Sequence, residues 1–169
     1  MARLKPLRIG VIADTHGLFD PAIYRHFRGV DRIIHAGDIG HRSVIARLAR
    51  IAPVIAVSGN VDDRKVTRCG PETVVELAGT RVAVRHIIYE RGKIRKDAAA
   101  FLARVRADIC IFGHTHQPKI ARVGDVLLLN PGSAGPKRFS LPRGIALLSL
   151  GKTSCRARLI RLADRAAAA

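Results

Sequence analysis

Seven side chains of metal-binding type punctuate the apolar segments of this chain. They are Asp14 and His16 in ADTHG, Asp38 in HAGDIG, Asn60 in SGNVD, His86 in VAVRHI, and His114 and His116 in FGHTHQP. Each follows a short Val/Ile/Leu-rich run that reads as a buried strand. That puts each on a loop at a strand's end, where open α/β sheets place their ligand sites. A structural zinc ion takes four ligands and a catalytic one three plus water, so seven exceed the needs of one ion. A carboxylate has two oxygens; if one such group bridges, the set suits two adjacent metals. The chemistry expected of such a pair is hydrolysis, of a phosphate ester first of all.

Taken singly, most of these pieces have a second reading. Asp14 and His16 can point at one ion if the turn folds back, but an aspartate there also serves as a cap. Asp38 stands between Gly37 and Gly40, which let the backbone turn sharply and approach a ligand; alone it reads equally as a turn aspartate. Gly59-Asn60 is a common turn, and a neutral amide suits a metal site only beside a bridging carboxylate. His86 alone reads as a structural histidine. The strong local signal is Gly113-His114-Thr115-His116. Two histidines one residue apart, after a buried strand and before Pro118, can reach two neighbouring ions from one loop.

The elements that must position these groups follow from hydrophobic periodicity. Residues 7–13, 31–36 and 53–57 read as strands. Between them, a helix opens with Asp20 as N-cap and Pro21 at its first position, with Ile23, Phe27 and Val30 on one face. A second helix over 43–50 turns Val44, Leu48 and Ile51 inward. This alternation argues for a parallel sheet. Beyond it, 73–77 and 81–87 form a hairpin around Ala78-Gly79-Thr80, and 93–105 a helix with Ala98, Phe101, Leu102 and Val105 on one face. Strands are expected at 108–112, 120–123, 126–129, 145–150 and 156–162, which suggests an antiparallel partner sheet. The expected architecture is α/β, two mixed sheets face to face with helices outside. Residues 1–165 are read as a single domain and 166–169 as a disordered tail.

Composition narrows the class. At 169 residues, 48% hydrophobic and only 4% aromatic, the chain is globular with an aliphatic core, which argues against disorder. Residues 1–10 lack a signal peptide's apolar stretch, and no run is long enough to span a bilayer, so no membrane association is expected. Cys69, Cys110 and Cys155 are odd in number and lack metal-binding spacing. They point to a reduced, cytoplasmic protein, with Cys110 as a small buried hydrophobe. The net charge of +17 attracts polyanions. The cations are scattered, mostly arginine, and form no dense tail, so an arginine-biased solvated surface competes with a preference for nucleic acid or another large anion.

In their order, the motifs DTH, HAGD, GN, a strand-terminal His and GHTH, followed by Asn130-Pro131-Gly132-Ser133, resemble those of the calcineurin-like metallophosphoesterases. Within them the match is to the small bacterial and archaeal phosphodiesterase subfamily related to the Vps29 retromer subunit, over roughly Arg8 to Leu150. The resemblance implies a four-layer αββα sandwich with a two-metal centre between the sheet ends. It puts Asp14, His16, Asp38 and His116 on one ion, and Asp38, Asn60, His86 and His114 on the other, with Asp38, Asn60 and His114 as catalytic residues. Manganese is the metal it suggests; mixed N/O donors also admit iron, zinc or nickel. The implied reaction is attack of a metal-bridging hydroxide on a phosphodiester. A nucleotide or nucleic-acid end is among the substrates left open, and a homo-oligomer is compatible.

Lys137 or Arg138, after the NPGS turn, would neutralise the phosphate oxygens, or else are loop charges. The alternative is a catalytically weak or inactive Vps29-like interaction scaffold, against which the complete ligand set argues. Two positions depart from the pattern. Val61 stands where many members of the wider superfamily carry a histidine that protonates the leaving group, and Ile87 where a glycine is usual. Asp62, Asp63 and His35 are the candidate replacements for that acid, His35 having a structural role as its other reading.

Overall fold

The computed structural model describes residues 5–164. The first three apolar runs form β1 (Leu7–Ile12), β2 (Arg32–His35) and β3 (Val54–Ala56), paired in parallel. Between them α1 (Ala22–His26) and α2 (Arg42–Ala49) return the chain to the same end of the sheet, which is what parallel pairing requires. Asp20 Oδ1 accepts the Ala22 N–H at 2.9 Å, so the expected cap forms. His41 caps α2, its Nδ1 accepting from the Ser43 N–H.

The rest of the chain comprises α3 (Arg64–Thr67), β4 (Glu72–Leu77), β5 (Thr80–Arg85), β6 (Tyr89–Glu90), β7 (Lys93–Ile94) and α4 (Lys96–Val105). It continues with β8 (Ile109–Ile111), β9 (Lys119–Val123), β10 (Val126–Asn130), β11 (Gly144–Gly151) and β12 (Ser154–Arg161). One sheet runs β12-β11-β1-β2-β3 and the other β4-β5-β8-β10-β9, each with parallel and antiparallel pairs.

Period-two alternation sorts the side chains into layers. On β1, Ile9 and Val11 face the second sheet and meet Val82, Val84, Ile109, Ile111, Leu127 and Leu129 in the central core. Ile12 faces the other way and packs with Ile23, Phe27, Val44 and Leu48 of the first two helices. Across the molecule, Ala98, Phe101 and Leu102 of α4 cover Ala83, Cys110 and Leu128. The result is the αββα sandwich.

Three local expectations change. The second sheet is not antiparallel throughout: α4 makes a crossover, so β5, β8 and β10 run parallel, and β11–β12 leave it to pair antiparallel beside β1. The helix expected over 93–105 starts only at Lys96. Arg91 and Gly92, with φ of 49° and 77°, reverse the chain and pair Tyr89 with Ile94 and Glu90 with Lys93. The short helix α3, started by the Asp63 carboxylate on the Lys65 N–H, was not anticipated. The hairpin at 78–80 forms with a two-residue turn, Ala78 and Gly79 both at positive φ. The tail expected at 166–169 lies outside the described residues. Among the described residues no helix is long and apolar enough to cross a membrane.

Candidate metal centre

Five strand ends from the two sheets deliver the seven side chains to one place. Asp14 and His16 follow β1, Asp38 follows β2, Asn60 follows β3, His86 follows β5, and His114 and His116 follow β8. Ligand atoms of Asp14, His16 and His116 lie within 4.8 Å of one another, and so do those of Asp38, His86 and His114. The H-x-H pair is thus divided between two groups. Asn60 Oδ1 lies 3.0 Å from His114 Nδ1. Asp38 faces both groups, with Oδ1 3.3 Å from His86 Nε2 and Oδ2 3.9 Å from His16 Nε2.

Backbone geometry brings the loops this close. Asp14, His16, Asp38, His114 and His116 all have φ between 47° and 68°, the left-handed region that costs an L-residue about 1–3 kcal/mol. Only glycine fits at 59, where a Cβ would lie 2.0 Å from Asp38 Oδ1. At Gly37 a Cβ would lie 2.6 Å from the His86 ring.

Polar contacts then lock the loops. The Asp62 carboxylate accepts the N–H groups of Ile39, Gly40 and Gly59 at 2.8–3.0 Å, tying the Asp38 loop to the Asn60 loop. Asn130 Nδ2 donates to Gly113 O and Thr115 Oγ1, and Ser133 Oγ donates to Asp14 O. Arg143, 1% exposed, pairs with Asp20 at 3.1 Å and donates to the carbonyls of Ala134 and Gly135. The Gly135 N–H in turn holds Asp14 O. Asn130, Ser133 and Arg143 had no assigned role from sequence. Arg143 offered no signal, since its carboxylate partner is 123 residues away.

The three candidate acids have other work. Asp62 is the clamp just described, and Asp63 caps α3. His35 is fully buried: its Nδ1 accepts the Gly37 N–H at 3.2 Å, which leaves Nε2–H to donate to Thr15 Oγ1 at 2.9 Å. Burial pushes its pKa down to about 4, so the ring is neutral. Val61 exposes its side chain, while its N–H donates to Asp38 Oδ1 at 3.1 Å. Lys137 is paired with Asp164 at 2.7 Å, whereas Arg138 is close enough for its charge to depress His16.

The electrostatics call for a cation. Asp14 and Asp38 are 0% and 3% exposed, and buried carboxylates need compensating charge or donors. Burial alone would raise the Asp38 carboxyl, but the His86 imidazole and the Val61 N–H hold it at about 2. Burial lowers His16 and His114, leaving their ring nitrogens as lone-pair donors. For His86, burial is outweighed by the Asp38 and Asp14 carboxylates, and its pKa is raised. Its Nδ1 donates to Ala36 O at 2.7 Å, while the buried Nε2, aimed between the carboxylates, makes no hydrogen bond among the described residues. His16 and His116 present Nε2 atoms to each other at 3.4 Å. Carboxylates, lone-pair nitrogens and an orphaned buried nitrogen form a donor set that divalent ions fit.

Comparison with known proteins agrees with this chemistry. Residues 7–153 match the calcineurin-like phosphoesterase superfamily domain. A probable metallophosphoesterase of Methanothermobacter thermautotrophicus is 36% identical over 145 residues, covering 82% of this chain and 84% of the relative. A phosphodiesterase of Methanocaldococcus jannaschii is 25% identical over 139 residues, 75% of this chain and 83% of the relative. In fold, the zinc complex of Vps29 from Entamoeba histolytica superposes with a TM-score of 0.69 at 21% identity, over 91% of this chain and 98% of that one.

Two outcomes follow for the metal-free protein. Arg143→Leu removes the buried guanidinium that pairs with Asp20 and holds the Ala134 and Gly135 carbonyls, and is expected to cost about 3–5 kcal/mol in denaturant unfolding; a loss below about 1 kcal/mol would show that this residue is not an anchor. His35 is neutral when folded but takes a proton in the unfolded chain below pH 6.5. Its share of stability is complete above pH 6.5 and is lost as pH falls toward about 4, an effect on the order of 3 kcal/mol. Unfolding curves of His35→Gln should therefore show a shallower acid slope than those of the parent.

Proposed function

Because the chain belongs to the calcineurin-like phosphoesterase superfamily, we propose that it is a phosphoesterase that works with two divalent metal ions and acts on phosphodiesters. The observation that carries this reading is the pair of ligand groups, Asp14 with His16 and His116 and Asp38 with His86 and His114, each with its donor atoms within 4.8 Å, and Asp38 facing both. Asp14, His16, Asp38 and His116 would hold one ion, and Asp38, Asn60, His86 and His114 the other. Manganese leads among the metals, with iron, zinc and nickel also suited to these donors. Two ions so held would lower the pKa of a water and neutralise charge on the phosphoryl oxygens.

The chain's own groups prepare that chemistry. Asp38 spans the two ligand groups and sets their separation. The His86 Nδ1–H, held by the Ala36 carbonyl, keeps Nε2 turned toward the carboxylates. Asn60 and His114 are the exposed members of the set and would face the phosphate oxygens. Arg138 is the cation we assign to its non-bridging oxygens, while Lys137 is held by Asp164. A diester is favoured by the phosphodiesterase relative, and Val61, which offers no proton, favours an ester whose leaving group departs readily.

The test is hydrolysis of a generic aryl phosphodiester beside its monoester, using chelated protein with manganese restored. Diester turnover is expected to return with metal, with two ions bound per chain. Asp38→Ala should stay folded, bind fewer ions and lose turnover; full activity in a metal-verified sample of that variant would refute the bridge. A metal-loaded protein inert on both esters favours the interaction-scaffold reading that the Vps29 fold resemblance raises. Val61→His should raise rates most for esters with poor leaving groups, and a uniform change across a leaving-group series would count against a missing acid at this position.

A further inference from the structure

The two outer faces of the sandwich are charged differently. On the α4 side, Arg85 pairs with Glu72 and Asp97, Arg95 with Asp97, and Arg104 with Glu72, so carboxylates answer the cations. The opposite face is built by α1, α2, β11 and β12, and none of these four elements contains an aspartate or glutamate. Arg25, Arg28, Arg47, Arg156 and Arg158 are exposed there and make no ion pair among the described residues. They share one surface. Period-two alternation puts Arg156 and Arg158 on the side of β12 that Ile160 turns toward the helices. Burial, then the charges of Arg25 and Arg158, lower the pKa of His26, which places Arg158 beside the end of α1. Arg156 stands across Ser149 from Arg8, whose side chain donates to Gly29 O at 3.3 Å, next to Arg28. Arg47 lies 5.5 Å over the Phe19 ring, which packs 5.0 Å from Tyr24 and joins α2 to the same surface. Two carboxylates border it and both are engaged, Asp20 with Arg143 and Asp31 with the Arg8 N–H.

Arginines gathered without carboxylates repel one another, and a polyanion relieves that repulsion. The guanidinium fork matches phosphate oxygens in particular. A bilayer would need apolar side chains to enter it. The large exposed apolar residues of these elements are Tyr24 and Leu159, and Leu159 turns to the other side of β12, so nothing aliphatic is offered. One aromatic ring is too few to stack the bases of a single strand. We propose that the α1–α2–β12 face docks the sugar-phosphate backbone of duplex nucleic acid through Arg25, Arg28, Arg156 and Arg158. Phosphate contacts of this kind position a duplex without reading its sequence. Arg8 opens β1 whereas Asp14 follows its end, roughly 20 Å of strand away, so docking is separate from the candidate metal centre. It stands whether or not that centre is a phosphoesterase.

The test is fluorescence anisotropy of a labelled, mixed-sequence DNA duplex titrated with the full chain over a salt series, with chelator present so that no ester is cut. Four arginine–phosphate contacts predict a slope of log K against log salt of about −4. Arg156→Glu with Arg158→Glu should weaken binding by about tenfold or more and flatten the slope by about 2. Arg156→Lys with Arg158→Lys keeps the charge and should keep the slope. Lys96→Glu with Arg104→Glu makes the same charge change on α4 and should weaken binding by less than about threefold. Should the β12 reversal lower the unfolding midpoint, Arg25→Gln with Arg28→Gln repeats the measurement on α1 and the turn after it. Equal losses from the β12 and α4 pairs would reduce the binding to overall net charge and overturn the docking face. So would an absence of duplex binding at low salt. Tighter binding to vesicles of phosphatidylglycerol in phosphatidylcholine than to the duplex would overturn it in favour of a lipid surface.

Discussion

Two carboxylates, Asp14 and Asp38, are buried a few ångströms from four imidazoles, and the cost of that burial shapes much of what surrounds them. A carboxylate taken out of water must recover its lost hydration from fixed donors or from a cation. The chain provides donors from far apart in sequence. The His114 N–H points at both Asp14 oxygens, and the Val61 N–H at Asp38 Oδ1. His114 belongs to the second sheet's side of the molecule and Asp14 to the first. The sheets must therefore meet face to face, with these strand ends in coincidence, before the Asp14 carboxylate is satisfied.

That arrangement is strained. Five of the ten non-glycine residues with positive φ among the described residues are candidate ligands, and Asp and His are among the side chains that tolerate the conformation best. Such backbone persists only where its surroundings over-determine it. Here they do so twice. The aliphatic core between the sheets fixes the strands, and the contacts of Asp62, Asn130, Ser133 and Arg143 fix the loops. The site gains rigid first contacts for a cation, at the expense of stability that the core and the buried Arg143–Asp20 pair supply.

The rim follows a different logic. The β6–β7 hairpin and the start of β9 carry cations and an aromatic ring on exposed backbone, where few packing constraints apply. Ile87 lines the two clefts that border the candidate ligands. The candidate ligands thus sit in a rigid, dry cage, while the rim around them is wet and charged. Part of the +17 charge is gathered at this rim, which its scatter along the chain conceals.

How much of this was legible beforehand depends on the range of the interactions involved. The seven donors could be read because each ends a strand whose apolar run is a local signal. Two mixed sheets with outer helices followed from the same periodicity, as did the Asp20 cap. The second strand of the β6–β7 hairpin was misread as the start of a helix because Lys93 and Ile94 fit both periods, and β6 was not anticipated. Other features were invisible because they exist only between distant segments. These include the return of β11 and β12 to the first sheet and the clamp by which Asp62 ties the Asp38 loop to the Asn60 loop. The pairing of Arg143 with Asp20 and the cleft beside His114 belong with them. Side-chain type and local period, which the chain carries by itself, determined which residues can bind metal and which segments extend or coil. Which donors share a cation, and which charges meet a carboxylate rather than solvent, is decided by where non-local packing places the strand ends.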